Sequence, residues 1–305
     1  MSINFKKDLT GIILAGGKST RAGFNKIEVK IGNVPLFIDQ IFKLCFFCNE
    51  ILISTSENNY EFINREIKKI KKYYIDYYSF CNLDKIPAVK IIMDKVRPTQ
   101  DNSDGNNVSI GPVSGIKSGL EYAKNPYSLV VAFDMPFITY KYFYLLIDIK
   151  NSQSKLKDAF IIKTEKGYES LCGIYSKNCL NVISKNIENK KYKISEIFQY
   201  SDTLIITPVR AFTKWKPYNN GENDEINFYK LNNKKIDSLN FFNINTSDDY
   251  NYFNKIWNLQ LRDFQISSNQ KFSKQTSLKN GDKSEYNQHI SANIFCEKWK
   301  YFFYR

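Results

Sequence analysis

Between residues 11 and 26 the apolar run Gly11-Ile12-Ile13-Leu14 enters a small-residue turn, Ala15-Gly16-Gly17, and the cations Lys18, Arg21 and Lys26 follow at short spacing. Glycine at positions 16 and 17 removes the side chains that would hold a polyanion off the main chain, so consecutive N–H groups can turn toward phosphate oxygens. The ammonium and guanidinium groups can then neutralise charge that the amides only partly offset. This is a pattern for phosphate chemistry. It is neither G-x-x-x-x-G-K-[ST] nor G-x-G-x-x-G, and by itself it also describes a Gly-rich turn after a buried strand, so its context decides.

The context is a set of polar residues that follow apolar runs. Ser54 and Ser56 end the run beginning at Glu50, Asp94 ends Val89–Met93, and Asp134 ends Leu129–Phe133. In an open α/β sheet ligands bind beyond the carboxyl ends of the strands. A carboxylate held there beside a phosphate loop suits Mg²⁺, which takes one or two carboxylates together with phosphate oxygens and water, and Asp134 is the strongest single candidate. The competing roles are structural: Asp134 as the cap of a following turn, and Asp94 as the close of a strand.

The elements that must position these residues follow from periodicity. Strands are predicted at Gly11–Leu14, Glu50–Ser54, Val89–Met93, Leu129–Phe133, Ala159–Lys163, Ser170–Tyr175 and Thr203–Thr207, and helices at Pro35–Cys48, Asn59–Tyr74, Pro112–Ala123, Thr139–Ile149, Lys177–Ile187 and Ile194–Tyr200. Apolar runs alternating with helix-period segments imply βαβ units, an α/β class and a mostly parallel sheet. Polar stretches at Asn102–Asn107 and Lys216–Glu225 read as loop insertions. From Leu261 to Arg305 the composition turns to Ser, Asn, Gln and Lys before the aromatic end Trp299-Lys300-Tyr301-Phe302-Phe303-Tyr304, so the expected division is a domain over 1–260 and an extension of unassigned role over 261–305.

With 305 residues, 21 Tyr and 23 Phe, the chain can bury a sizeable core. No apolar run approaches the roughly 20 residues that span a bilayer, and Met1–Thr10 does not read as a signal peptide, so no membrane association and a cytoplasmic location are expected. The net charge of +13 is spread over lysines throughout the chain, and no nucleic-acid-binding motif accompanies it, so no nucleic-acid partner is expected. Six irregularly spaced cysteines in a chain of this size read as buried inert thiols. Cys45-Phe46-Phe47-Cys48 lacks the second pair or histidines of a zinc site and is expected to close an apolar helix. His289 is the sole histidine, which argues against Ser-His-Asp or Cys-His nucleophilic chemistry.

The stretch Leu14 to Lys26, as L-A-G-G-x-S-x-R-x-G-x-x-K, resembles the signature of the molybdenum cofactor guanylyltransferases of the MobA-like nucleotidyltransferase superfamily. Further matches follow in order: Gly111-Pro112-Val113-Ser114-Gly115-Ile116, Phe133-Asp134-Met135-Pro136-Phe137-Ile138, and Phe242-Asn243-Ile244-Asn245-Thr246-Ser247-Asp248-Asp249. The resemblance spans roughly the first 260 residues and implies a single nucleotidyltransferase domain, Rossmann-like, with helices on both faces of a mostly parallel sheet. It further implies transfer of GMP from GTP to the terminal phosphate of molybdopterin or Mo-molybdopterin with release of pyrophosphate, Mg²⁺ as cofactor, and apo-molybdoenzymes or their chaperones as further partners.

By the same resemblance Leu14, Ala15, Gly16, Gly17, Lys26, Ser54, Asp94 and Asp134 contact GTP, with Asp94 on the guanine base. Arg21, Lys26 and Asp134 serve catalysis, Asp134 holds the metal, and Asn243 and Asn245 lie toward the acceptor. A carboxylate suits guanine because it accepts from both N1–H and the N2 amine. Residues 243–249 also read as a capped helix entry. The chain departs from the family pattern at Ala22, at Asn25 in place of Asp, at Ser54 in place of Asn, and at Glu169-Ser170-Leu171 in place of an H-P or Q-P pair. Two other activities fit less of the pattern: a cytidylyl- or sugar-phosphate nucleotidyltransferase, and an inactive GTP-binding adaptor that delivers cofactor.

Overall fold

The computed structural model describes residues 8–17, 23–78, 85–94, 110–164, 166–206 and 242–255. Lys18, Arg21, the stretches 102–107 and 216–225, Cys81, His289, Cys296 and the segment 261–305 lie outside the described residues.

A seven-stranded sheet organises the chain. Its strands are β1 (Leu9–Ala15), β4 (Cys48–Thr55), β5 (Ala88–Met93), β6 (Tyr127–Ala132), β7 (Ala159–Thr164), β8 (Gly167–Ser176) and β9 (Thr203–Ile206), while β2 (Lys30–Ile31) and β3 (Val34–Pro35) form a separate antiparallel pair. The spatial order is β5-β4-β1-β6-β8-β7-β9. β1 pairs in parallel with β4 and β6, β4 with β5, and β7 with β9; β8 alone runs antiparallel to its neighbours β6 and β7. The helices are α1 (Leu36–Leu44), α2 (Glu57–Ile67), α3 (Ile70–Tyr73), α4 (Pro112–Tyr122), α5 (Tyr140–Ser152), α6 (Cys179–Glu188), α7 (Ile197–Tyr200) and a last helix, α8, described over 247–255.

Both faces of the central strands β1, β4 and β6 are buried, which is why they read as continuous apolar runs. Leu9, Ile13 and Ala15 of β1 point into a core shared with α1, α2 and α5, whereas Ile12 and Leu14 point the other way, toward α4 and α6. The same alternation assigns Leu129 and Val131 of β6 to the first layer and Val130 to the second. Complete burial of side chains such as Phe37, Phe42, Phe143 and Phe160 contributes about 1.5–3 kcal/mol each. The helix α4 approaches β1 so closely that a Cβ on Gly119 would lie 2.6 Å from Ile12 Cδ1, so glycine is needed there for the layers to meet.

The predicted elements are present with shifted ends, except that the helix expected over Asn59–Tyr74 breaks after Ile67 into α2 and α3, and the one expected over Ile194–Tyr200 begins as a 3-10 turn and is α-helical only from Ile197. α2 begins at Glu57, two residues before the predicted Asn59, because Ser56 stands in the extended conformation ahead of it (φ −90°, ψ 163°) as the helix entry. The predicted helix Pro35–Cys48 ends at Leu44, and Cys48 instead opens β4, so the C-x-x-C pair links two elements and does not close a helix. Cys45, Cys48, Cys172 and Cys179 are buried. Burial pushes the Cys172 thiol far up and the Cys179 thiol up to about 12, so neither ionises near neutral pH. Among the described residues no helix is long and apolar enough to cross a membrane.

Candidate active site

The carboxyl ends of β1, β4, β5 and β6 lie side by side, and the residues that follow them meet there. Gly16 follows β1 and Gly17 takes φ +117°, a conformation costly for any residue with a side chain. The turn is anchored at Ala15, whose carbonyl accepts from Asn59 Nδ2 at 2.9 Å and from Thr55 Oγ1 at 3.2 Å. Asp94 follows β5, and its N–H donates to the Thr55 carbonyl at 2.8 Å. Its side chain fills the space beside the turn: a Cβ on Gly16 would fall within 3.0 Å of Asp94 Oδ2, and one on Gly115 would meet Asp94 Oδ1 at 3.5 Å and Ser54 Oγ at 3.3 Å. The Ser54 hydroxyl donates to Asp94 Oδ1. Burial raises the Asp94 carboxyl above its ordinary range, and the Ser54 hydrogen bond draws it part of the way back.

A second group forms around Lys26. Residues Lys26–Glu28 make a single 3-10 turn pinned by the buried Ile27. The Lys26 ammonium lies 2.8 Å from Asn245 Oδ1 and 3.4 Å from Asp134 Oδ2. The Asp134 carbonyl accepts from the Ile244 N–H at 3.1 Å, so the segment before α8 is tied to the β6 end by main chain as well as by side chain. Burial raises the Asp134 carboxyl, with the Lys26 charge and hydrogen bond opposing it. Asn25, one of the residues that depart from the family pattern, donates from Nδ2 to Glu28 Oε1 at 3.0 Å.

Asn245 presents its side chain to Lys26 while its N–H, with that of Thr246, donates to Asp249 Oδ2 at 2.9 and 2.8 Å. Thr246 Oγ1 in turn accepts from the Asp249 N–H at 3.1 Å, a reciprocal capping box at the start of α8. The helix entry and the Lys26 contact therefore coexist in one segment. Phe24 packs on Tyr250 with ring centroids 5.1 Å apart, which binds α8 to the loop that carries Lys26.

Of the residues predicted to form the site, Gly16, Ser54 and Asp94 are brought together, as are Lys26, Asp134 and Asn245. Leu14 packs in the second core layer and Ala15 serves through its carbonyl. Asn243 lines a cavity of about 850 Å³ together with the β7–β8 hairpin, the segment 192–199 and Pro112 at the start of α4. Several supports were not foreseen. Asn59 is buried and holds the turn, a role signalled only by a polar residue on the inner face of α2. Gln40 and Lys43 donate to the carbonyls of Met135 at 2.9 Å and Pro136 at 3.3 Å, with Asp39 2.6 Å from Lys43 in a buried pair.

Among the described residues no cluster of three or more His, Cys, Asp or Glu could hold a metal by itself. A divalent cation at Asp134 would therefore take most of its ligands from phosphate oxygens and water, which is the habit of Mg²⁺ and fits a lone buried carboxylate beside a phosphate loop.

The family model described as the MobA-like NTP transferase domain matches residues 11–203. A Clostridium perfringens (strain SM101) protein named "Probable molybdenum cofactor guanylyltransferase" is 33% identical over 195 residues, covering 63% of this chain and 79% of that protein. A Carboxydothermus hydrogenoformans protein of the same name is 23% identical over 254 residues, covering 83% of this chain and 99% of that protein. The crystal structure of molybdopterin-guanine dinucleotide biosynthesis protein A from Archaeoglobus fulgidus aligns with a TM-score of 0.50 at 20% identity, over 81% of this chain and 98% of that one, and so shares the fold. With 193 consecutive positions spanned by the family model, the chain belongs to the MobA-like NTP transferase family.

Proposed function

We propose that this chain is a molybdenum cofactor guanylyltransferase, a nucleotidyltransferase that moves GMP from GTP to the terminal phosphate of molybdopterin or Mo-molybdopterin and releases pyrophosphate. The observation that carries this reading is Lys26, bonded at once to Asp134 and to Asn245, because a cation at that junction stands where the anionic ends of two substrates must be brought together.

In this reading the guanine base occupies the space beside Asp94, whose carboxylate accepts from N1–H and the N2 amine, with Ser54 fixing its orientation. The triphosphate runs along the Gly16–Gly17 turn, where glycine lets the backbone approach. Lys26 exchanges its protein contacts for phosphate oxygens, and Arg21 offsets charge that develops on the transferring group. An acceptor phosphate oxygen attacks the α-phosphorus, forming one P–O bond as the bond to the β-phosphate oxygen breaks and pyrophosphate leaves. The acceptor is already anionic at neutral pH, so no general base is required, and the work reduces to alignment and charge compensation. Mg²⁺ held by Asp134, when bound, supplies further compensation at the phosphates. Asn245 lies toward the acceptor phosphate, residues 1–260 form the transferase domain, and 261–305 form an extension.

The test is Mg²⁺-dependent release of pyrophosphate from GTP, and in parallel from CTP, with and without molybdopterin. Release from GTP but not from CTP, and only in the presence of molybdopterin, is expected. Use of CTP would remove the guanine role of Asp94, and GTP binding without turnover would leave an adaptor in its place.

A further inference from the structure

The buried residues of α2 are Asn59, Ile63 and Glu66, which recur at helical spacing and define its inward face. Ile63 belongs to the first core layer, and an apolar residue is the ordinary occupant of the position one turn before it. Asparagine stands there instead, 5% exposed, and its Nδ2 donates to the Ala15 carbonyl at 2.9 Å, across 44 positions of sequence. A buried amide is tolerated where its hydrogen bonds are made, and this one is made to the last residue of β1.

A second donor reaches the same carbonyl without being committed to it. Thr55 Oγ1 lies 3.2 Å from the Ala15 oxygen and 3.3 Å from the Ser56 oxygen, and a hydroxyl has one hydrogen to give. Asn59 makes the shorter bond, so the direction of the Ala15 carbonyl depends chiefly on it. In a trans peptide the carbonyl and the following N–H point in opposite directions, and among the described residues no peptide bond is cis. Holding the Ala15 carbonyl therefore aims the Gly16 N–H. The turn needs such a hold, because the two glycines that let a ligand approach the main chain also leave its peptides free to swivel.

We infer that Asn59 is a positioning residue of the transfer reaction: by holding the Ala15 carbonyl from α2, it aims the Gly16 N–H at the phosphates of the bound nucleotide. The inference rests on the reading of the turn as the GTP phosphate site. It separates two affinities within one pocket. Asn59 governs the phosphates, whereas Asp94, proposed to read the base, is held by other groups: its N–H by the Thr55 carbonyl and its carboxylate by the Ser54 hydroxyl.

The test compares GTP and guanosine binding to the full chain by calorimetric titration, in the wild type and in Asn59→Leu, which keeps the approximate shape of the amide and removes its donors. The wild type is expected to prefer GTP strongly. Asn59→Leu should lose roughly 10-fold in GTP affinity, the size of one misdirected hydrogen bond to a charged group, while guanosine affinity stays unchanged. The KM for GTP should rise by a similar factor with kcat nearly unchanged, because the aimed amide serves the bound and the reacting nucleotide alike. A general loosening of the fold would weaken both ligands together, so equal losses for GTP and guanosine overturn the inference, as does a fall in kcat with KM unchanged. Should Asn59→Leu fail to fold, Asn59→Gln takes its place. It moves the donor by one methylene, so a several-fold loss confined to GTP is expected, and unchanged GTP binding overturns the inference. A wild type that binds guanosine as tightly as GTP would refute the phosphate role of the turn and the inference with it. A preference for GTP that survives intact in Asn59→Leu refutes the role of Asn59 alone.

Discussion

The carboxylate of Asp94 occupies the space into which a side chain on Gly16 would have to project. The turn proposed to receive phosphates and the carboxylate proposed to read the base are thus packed against each other, and neither can change without moving the other. Gly16→Ala is expected to displace Asp94 or the turn and to weaken GTP binding by roughly 10- to 100-fold, the cost of one or two misplaced hydrogen bonds at a buried group. The core layers do not involve this contact, so the melting temperature should change little. Calorimetric titration with GTP beside a thermal melt checks both.

The Ser54 hydroxyl donates to the Asp94 carboxylate. Burial raises the Asp94 carboxyl and the Ser54 hydrogen bond lowers it, so Ser54→Ala should raise it further. The proposed guanine recognition uses the ionised form, so GTP affinity is expected to fall as pH drops through the raised value, with the fall beginning at higher pH in Ser54→Ala. Stability has the opposite sign. The folded state holds this proton to higher pH than the unfolded chain, so the contribution is complete below the ordinary carboxylate range and declines as pH rises through the raised value. GTP affinity measured from pH 4 to 8 in both proteins checks the direction; superimposable acid limbs would show that Asp94 does not govern binding.

Much of this arrangement is legible in sequence because the strand ends are. Gly16, Ser54, Asp94 and Asp134 each follow or finish an apolar run, and a parallel sheet brings the ends of such runs to one edge. The contact between Lys26 and Asn245 spans 219 positions, and periodicity has no means of finding it; the resemblance located both residues but not their bond. Lys43 and Gln40 escape notice for a different reason. Polar residues in a helix ordinarily mark its wet face, yet every residue of α1 is buried, so these two point into the protein and seek main-chain carbonyls. The cavity at Glu169 depends on how a hairpin faces a later turn, which local sequence does not encode.

Lys43 and Gln40 therefore support Asp134 from behind, through the carbonyls of Met135 and Pro136. Lys43→Met removes the cation from a pair in which Asp39 is 0% and Lys43 4% exposed. Leaving a buried charge without its counterion costs about 3–5 kcal/mol, a large part of the stability of an ordinary domain. The expected result is a lower denaturant midpoint with an unchanged m-value. The double variant Asp39→Leu/Lys43→Met should recover most of that loss, because it removes both charges. If turnover stays depressed in the recovered double variant, the Pro136 contact matters for placing Asp134; full activity there would confine Lys43 to stability.

Asp134→Asn tests the chemistry more directly. It keeps the shape of the side chain but removes the charge facing Lys26 at 3.4 Å. Loss of a charge-positioning group of this kind commonly lowers turnover by about 10²-fold or more. Turnover is expected to fall by at least that factor while GTP binding, held by the turn and Asp94, falls far less. Single-turnover assays at saturating GTP separate the two effects, and an equal loss in both would make Asp134 a binding residue only.

The entry to α8 couples helix stability to the Lys26 contact, on the side proposed to receive the acceptor. Thr246 and Asp249 cap the helix reciprocally, and Asn245, one residue earlier, holds Lys26. Thr246→Ala removes one cap bond, which costs about 1 kcal/mol of helix stability. Because the frayed end is the one bearing Asn245, the KM for molybdopterin should rise several-fold while that for GTP stays near its wild-type value. The pH response follows from Asp249: burial pushes its carboxyl up, but hydrogen bonds from Asn245 and Thr246 and the nearby Lys26 charge together hold it below the ordinary range. Its contribution is complete above the ordinary carboxylate value and is lost as pH falls through the lowered one, so acid should loosen this segment. Hydrogen exchange of the amides at 245, 246 and 249 is therefore expected to show less protection in Thr246→Ala than in wild type at neutral pH. A variant with faster exchange but an unchanged KM for molybdopterin would uncouple the helix entry from the acceptor.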